Sequence, residues 1–140
     1  MRRLLLLWFF TCTFYVHAQR SDFDAIHFGK ADTIAHRYQG EELYNLPVLA
    51  LRLTAQLHTD VERFRAIYYW VCHNIRGNYD LTSTNEHMRR KLKNRPEELR
   101  LWNNQYKQEV FATLRNNKET LCTGYAYLIK ELANLAGLQC

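Results

Sequence analysis

The sequence lacks most of the short motifs that bind metals, nucleotides or nucleic acids. Its 140 residues contain no Cys-x-x-Cys pair, no group of closely spaced histidines and no glycine-rich phosphate loop. We therefore expect neither a metal site nor a bound cofactor. The basic residues are scattered along the chain instead of forming a stripe, and no nucleic-acid-binding motif is present, so DNA or RNA is not the expected partner.

Glycine and proline are also scarce, with five and two residues, and no internal repeat or low-complexity run is found. Hydrophobic residues make up 47% of the chain and aromatic residues 14%, which is typical of a globular protein and excludes a disordered one. A chain of 140 residues forms one domain at most. The composition therefore predicts a single folded unit with an apolar core.

The amino terminus has the three-part pattern of a secretory signal peptide. Arg2 and Arg3 precede an apolar run, Leu4–Val16, and the small residue Ala18 closes the segment. We predict residues 1–18 as the signal peptide, with cleavage after Ala18 and export of a bacterial protein to the periplasm or the medium. Without these residues, 17 basic residues (19 less two) face 14 acidic ones, a net charge of +3.

The apolar run of the signal peptide is too short for a membrane span. Cys12 within it follows Phe-Phe-Thr, which does not resemble a lipoprotein cleavage site. We therefore expect no stable membrane anchor. The absence of an N-x-Ser/Thr glycosylation site fits a bacterial exported protein.

Three cysteines follow the signal peptide, an odd number for an oxidising compartment, so at least one is unpaired within the chain. A Cys72–Cys140 disulfide is one alternative. The other, which we favour, is that Cys72 packs in the core because it falls on an apolar helix face. Cys122 then remains as a free thiol.

Helix signals divide the exported part into two stretches. Residues 19–45 read as an amphipathic lead-in, with Ser21 as its N-cap and Gly40 as its end, and we place it outside the core domain. Residues 46–140 form the domain proper. Its first helix contains a regular apolar stripe with a proline in the first turn: Leu46, Pro47, Leu49, Ala50, Leu53 and Leu57.

The next helix begins at a capping box, Thr59 with Glu62, and contains Trp70. We expect Trp70 to be a core aromatic, on a different side from the predicted apolar face formed by Phe64, Ile67, Tyr68, Val71 and Ile75. Tyr79-Asp80 is predicted to follow in a loop. There the Tyr79 hydroxyl either packs or donates a hydrogen bond to a substrate oxygen near the thiol. Residues 81–94 read as a solvated face, and Pro96 opens a further helix.

The last segment, Lys118–Cys140, contains the candidate catalytic residue, Cys122. Gly137 is a natural stop for a helix that begins near Cys122. A thiol in the first turn lies beside unpaired backbone N–H groups and the positive end of the helix dipole, which stabilise the nucleophilic thiolate. The alternative is a structural cysteine that acts as a small hydrophobe. The predicted buried face of this helix is Tyr125, Ala126, Ile129, Leu132, Ala133 and Ala136.

Two stretches of sequence resemble the transglutaminase-like superfamily. Cys122–Leu128, read CTGYAYL, with the later Ala136-Gly137 pair, is similar to that family's nucleophile helix. Residues 65–80, read RAIYYWVCHNIRGNYD, are similar to its other signature, a Trp-containing helix followed by Asn-Ile and Tyr-Asp. The two signatures cover about 60–140. Thr120 departs from the pattern because the family has glycine two residues before the nucleophile.

The resemblance implies an α+β, papain-like fold of which this chain covers mainly the helical part, so the chain itself is largely α and the core sheet is missing. It also implies that Cys122 attacks an amide carbonyl of a protein or peptide substrate. The family places its base histidine after the nucleophile, whereas all the histidines here precede Cys122, and His73 is the weaker local candidate.

We therefore expect residues 1–140 to be a truncated domain that is inactive alone and exposes apolar faces of the Trp70 and Cys122 helices. The full-length protein would be an exported cysteine-dependent acyltransferase or amidase. The alternative is a non-catalytic interaction domain that keeps the fold, an interpretation favoured by Thr120 and by the missing base.

Overall fold

The computed structural model describes residues 26–139. The predicted signal peptide and its cleavage site, Cys12, the Ser21 cap and Cys140 lie outside the described residues. Within residues 26–139 the fold is mostly helical, with one pair of short strands. The elements in chain order are α1 (Gly29–Arg37), α2 (Leu46–Thr54), α3 (Asp60–Asn74), β1 (Arg76–Gly77), α4 (Tyr79–Lys91), α5 (Pro96–Asn117), β2 (Glu119–Thr120) and α6 (Cys122–Leu135).

Trp70 on α3 lies at the centre of the main core and is fully buried. Its indole Nε1–H donates to the Tyr38 carbonyl at 2.7 Å, so the polar atom of this large ring is satisfied. The expectation that Trp70 is a core aromatic is confirmed. Around it pack buried side chains from α2, α3 and α6, among them Leu49, Leu53, Ile67, Val71, Leu128 and Leu132.

Helix α1 packs against α3 instead of standing outside the core, which corrects the placement made from sequence. Ala31 and Ile34 are buried with Leu57 and Ala66 in a smaller apolar cluster. On the rim of this contact Arg65 donates two hydrogen bonds to Asp32, at 2.7 and 2.9 Å. The contact arises because the apolar stripe of α1 needs a partner surface, and the small side chain of Ala66 lets the two helices approach closely.

The start signals of α2, α3 and α5 act as the sequence predicts. Pro47 lies in the first turn of α2, and Asn45, which was not singled out from sequence, caps the helix by accepting from the Val48 amide at 3.2 Å. The capping box of α3 is complete. The backbone N–H of Thr59 and, to a smaller extent, its hydroxyl donate hydrogen bonds to the Glu62 carboxylate, which lowers the pKa of Glu62 below its ordinary value. Pro96 lies in the first turn of α5.

The buried face of α3 differs from the prediction. Ala66, Ile67, Trp70 and Val71 are buried, whereas Phe64 and Tyr68, expected inside, are 41% and 46% exposed. The helix contacts α1, α2 and α6, so its buried surface is broader than one stripe and is turned away from Phe64 and Tyr68. The predicted stripe of α2 is confirmed, since Leu49, Ala50, Leu53 and Leu57 are all buried.

Cys72 is exposed and does not pack in the core, which corrects the interpretation made from sequence. It lies one turn beyond Tyr68 on the outward side of α3. A hydrogen bond between the Tyr68 hydroxyl and the Cys72 thiol raises the pKa of Tyr68. The apolar residues on either side of Cys72 in the sequence therefore do not indicate the direction of its side chain.

Tyr79 begins helix α4, so the predicted loop at Tyr79-Asp80 is wrong. The helix starts here because the Asn78 side chain accepts a hydrogen bond from the Leu81 amide at 3.0 Å. Leu81 is buried against α5, where the Tyr106 hydroxyl donates to its carbonyl. Most of the remaining residues of α4 are exposed, as the solvated-face interpretation requires.

Strands β1 and β2 pair in parallel, although 43 residues separate the aligned positions. Arg76 aligns with Glu119 and Gly77 with Thr120. The pair is extended by hydrogen bonds from the Arg76 amide to the Lys118 carbonyl and from the Asn78 amide to the Thr120 carbonyl, both 2.8 Å. Among residues 26–139, no helix has the length and apolar character needed to cross a membrane.

Candidate functional site

Cys122 is the first residue of α6, as predicted, and its side chain is exposed. Lys118 ends α5 in the left-handed conformation (φ 55°), after which Glu119 and Thr120 form β2. Leu121 is still extended (φ −101°, ψ 177°), and the helix turns directly after it. No side chain caps this end of α6. The Cys122 and Thr123 amides therefore have no capping side chain, whereas the Gly124 amide donates to the Leu121 carbonyl at 2.9 Å.

The buried face of α6 is rotated from the predicted one. Gly124, Leu128, Leu132 and Ala133 are buried, whereas Ala126, expected inside, is exposed. Gly124 packs directly on Thr120. Positions 122 and 126 consequently share the outward side of the helix.

Gly124 makes room for the side chain of Thr120. A Cβ atom built on Gly124 would lie 1.8 Å from Thr120 Oγ1 and 2.8 Å from Thr120 Cβ. Thr120 is fully buried, and its hydroxyl has no hydrogen-bond partner among the described residues. The threonine that departs from the family pattern is thus accommodated by a glycine four residues later.

The carboxyl end of α6 is fixed as predicted. Gly137 adopts φ 77°, which favours glycine. Its amide donates to the Asn134 carbonyl at 3.0 Å, and the Leu138 amide donates to the Ala133 carbonyl at 2.9 Å. These two bonds form a Schellman motif, with Leu138 buried against the core.

Tyr125 connects α6 to the end of α3. Its hydroxyl donates to the Ile75 carbonyl at 2.8 Å, across a separation of 50 residues. Burial raises the pKa of Tyr125, and the neighbouring Cys72 thiol and Tyr79 hydroxyl raise it further. Side chains from α3, α4 and α6 therefore meet within one turn of Cys122.

The strand register brings two helix starts together. Because Gly77 aligns with Thr120, the next residues, Asn78 and Leu121, are the N-caps of α4 and α6. Tyr79 and Cys122 then occupy the same position, as the first residues of the two helices. The carboxyl ends of paired parallel strands are a common place for ligand sites.

A polar network holds this edge. Glu119 accepts from the Arg76 guanidinium at 2.7 Å and from the Asn78 side-chain amide at 3.2 Å. Neither Asn78 nor Glu119 was singled out from sequence. An N-cap signal was present, since Asn78 is a favoured capping residue before Tyr79-Asp80. For Glu119 no local signal exists, because its partners lie more than 40 residues away.

His73 contacts Tyr69, its neighbour one turn earlier on α3. Its ring stacks on Tyr69 at 3.9 Å between centroids, and its Nδ1 lies 2.8 Å from the Tyr69 carbonyl. Within the described residues no hydrogen bond joins Cys122 to a histidine, and no group of three or more potential ligands could hold a metal ion. A cavity of about 410 Å³ is lined by residues of α5 and α6 together with Leu43 and Leu46, and Cys122 is not among its lining residues.

The chain is similar to proteins named kyphoscoliosis peptidase. It is 34% identical to the human protein over 117 residues, which cover 84% of this chain and 14% of that protein. It is 35% identical to the mouse protein over 88 residues, which cover 63% of this chain and 10% of that protein. The chain thus spans only a small part of these relatives. No family model matches it, and no solved structure does.

Proposed function

We propose that Cys122 is the nucleophile of an exported transglutaminase-like protein which, in its full-length form, performs cysteine-dependent acyl transfer or amide hydrolysis on a protein or peptide. The observation that carries the proposal is the exposed thiol at the uncapped amino end of α6. The first turn of a helix presents backbone N–H groups and the positive end of the helix dipole to a side chain at this position.

The comparisons support the same chemistry. The relatives are named peptidases, and a peptidase cleaves amide bonds. Their similarity extends over most of this chain and agrees with the resemblance of 65–80 and 122–137 to the two transglutaminase-like signatures. The matched region covers 14% of the human protein and 10% of the mouse protein.

In the proposed reaction the Cys122 sulfur attacks the substrate carbonyl carbon, and the carbonyl electron pair moves to oxygen. Collapse of the tetrahedral intermediate expels the amine, which takes a proton from a base that has removed it from the thiol. An amine or water then attacks the thioester. We assign the base to a histidine outside residues 1–140, so these residues alone are proposed to be inactive.

Selective alkylation tests the proposal. At about pH 6, iodoacetamide should label Cys122 of the full-length protein roughly tenfold faster than Cys72, because only Cys122 lies at a helix amino end that stabilises the thiolate. Both thiols are exposed, so accessibility does not separate them. The rates are measured by mass spectrometry of the two cysteine peptides.

Matched variants separate the two thiols. Cys122→Ser should remove the fast reaction, whereas Cys72→Ser should leave it unchanged, and in denaturant the two rates should become equal. Equal rates in the folded protein would refute an activated Cys122.

The second candidate function is a non-catalytic interaction domain. The absence of a histidine hydrogen-bonded to Cys122 among the described residues favours it, as does Thr120 in the place of the family's glycine. The alkylation experiment distinguishes the two functions, because a domain without chemistry has no need of a reactive thiol.

A further inference from the structure

Tyr79 occupies the position on α4 that Cys122 occupies on α6. The aligned pair Gly77 and Thr120 ends the two parallel strands, and two residues later each chain segment begins a helix. The Asn78 amide donates to the Thr120 carbonyl at 2.8 Å, which holds the two segments together directly before the helices start.

The hydroxyl of Tyr79 is available to a ligand. The residue is 86% exposed, the largest exposure among the big apolar and aromatic side chains of residues 26–139. No hydrogen bond of its hydroxyl to another described residue is found. An aromatic ring that is this exposed contributes little to the core. Core packing therefore does not explain why a tyrosine occupies position 79.

The side chain of Tyr79 also lies near α6. It is close enough to Tyr125 to contribute, after burial and Cys72, to the raised pKa of that residue. Tyr125 belongs to the same helix as Cys122, one turn further along. Two separate observations therefore place Tyr79 next to the amino end of α6: the strand register and the proximity of Tyr79 to Tyr125.

We propose that the Tyr79 hydroxyl donates a hydrogen bond to the oxyanion that forms when Cys122 attacks a substrate carbonyl. This inference rests on the proposed function. A donor aimed at developing negative charge lowers the barrier because the bond strengthens as the carbonyl becomes an oxyanion. The tyrosine keeps its own proton throughout.

A peptide aldehyde provides a probe of this step. The Cys122 thiolate adds to the aldehyde carbon, a C–S bond forms, and the carbonyl π pair moves to oxygen. The proton removed from the thiol stays on the base, and the hemithioacetal oxyanion accepts the Tyr79 hydrogen bond. Nothing leaves and no co-reactant is needed. Iodoacetamide reacts differently, since the sulfur displaces iodide and no oxyanion forms.

Tyr79→Phe in the full-length protein should weaken the hemithioacetal with a peptide aldehyde by roughly 10–100-fold and leave the iodoacetamide rate at Cys122 unchanged. Tyr127→Phe is the matched control, because Tyr127 is also an exposed tyrosine but contacts Phe111 on α5. It should leave both reactions unchanged. Adduct formation at Cys122 is followed by mass spectrometry and by titration of the aldehyde.

The outcomes separate the inference from the function on which it rests. If Tyr79→Phe binds the aldehyde like the wild type, the oxyanion role is wrong while Cys122 remains the nucleophile. If the variant loses both reactions equally, Tyr79 acts on the thiol or on the fold, which also overturns the role. If the wild-type protein forms no adduct at Cys122, the proposed function itself fails.

Discussion

Trp70→Ala should lower the free energy of unfolding by about 4 kcal/mol. Trp70 is the largest of the fully buried side chains, and the core cluster from α2, α3 and α6 surrounds it. Its removal leaves a cavity and deprives the Tyr38 carbonyl of its indole donor, so packing and hydrogen-bond terms act together. Urea denaturation followed by circular dichroism measures the loss.

Two variants keep this test interpretable. Trp70→Phe, which retains most of the ring but not the N–H, should cost about 1–2 kcal/mol and fold even if the alanine variant does not. Trp102→Ala is the control at the edge of the fold, where the ring is only partly buried against the small cluster around Tyr106. If Trp70→Ala lowers the free energy of unfolding by no more than Trp102→Ala does, the central position of Trp70 in the core is contradicted.

Gly124→Ala should lower the free energy of unfolding by about 2–3 kcal/mol. The added methyl would lie 1.8 Å from Thr120 Oγ1 and 2.8 Å from Thr120 Cβ, so Thr120, which is fully buried in β2, would have to shift. Strain at this contact also displaces the start of α6, and the alkylation rate of Cys122 should fall with stability.

A double-mutant cycle tests the assigned cause. Thr120→Gly, which restores the glycine of the family pattern, should recover about 1–2 kcal/mol of the loss in the Gly124→Ala background. Gly29→Ala is the matched control, because nothing lies within 4 Å of a Cβ at that helical glycine. It should be neutral or slightly stabilising. Simple additivity of the two substitutions would show that the contact between 120 and 124 is not responsible.

Local signals in the sequence predict where most helices begin and end. The capping box at Thr59, Pro96 and Gly137 act through bonds to residues a few positions away, so their effects are visible in the sequence alone. Asn78 acts in the same way, and the helix that it starts was missed because Tyr79-Asp80 was interpreted as a loop.

Features set by distant partners could not be predicted. The exposure of Phe64 follows from where α1 and α6 pack on α3. The neighbouring starts of α4 and α6 depend on a strand register across 43 residues. The position of Cys122 in the first turn was predicted, and Tyr79 near the thiol was one of two alternatives, whereas Asn78 and Glu119 were not predicted.

Trapping of an acyl-enzyme tests most directly whether Cys122 is the nucleophile. The full-length protein is mixed with a p-nitrophenyl ester of a short acylated peptide, quenched in acid and digested with trypsin, which yields residues 119–130 with Cys122 and residues 66–76 with Cys72. We predict a hydroxylamine-sensitive thioester on 119–130, absent in Cys122→Ala and retained in Cys72→Ala. Acylation of both peptides to the same extent, or of neither, would contradict it.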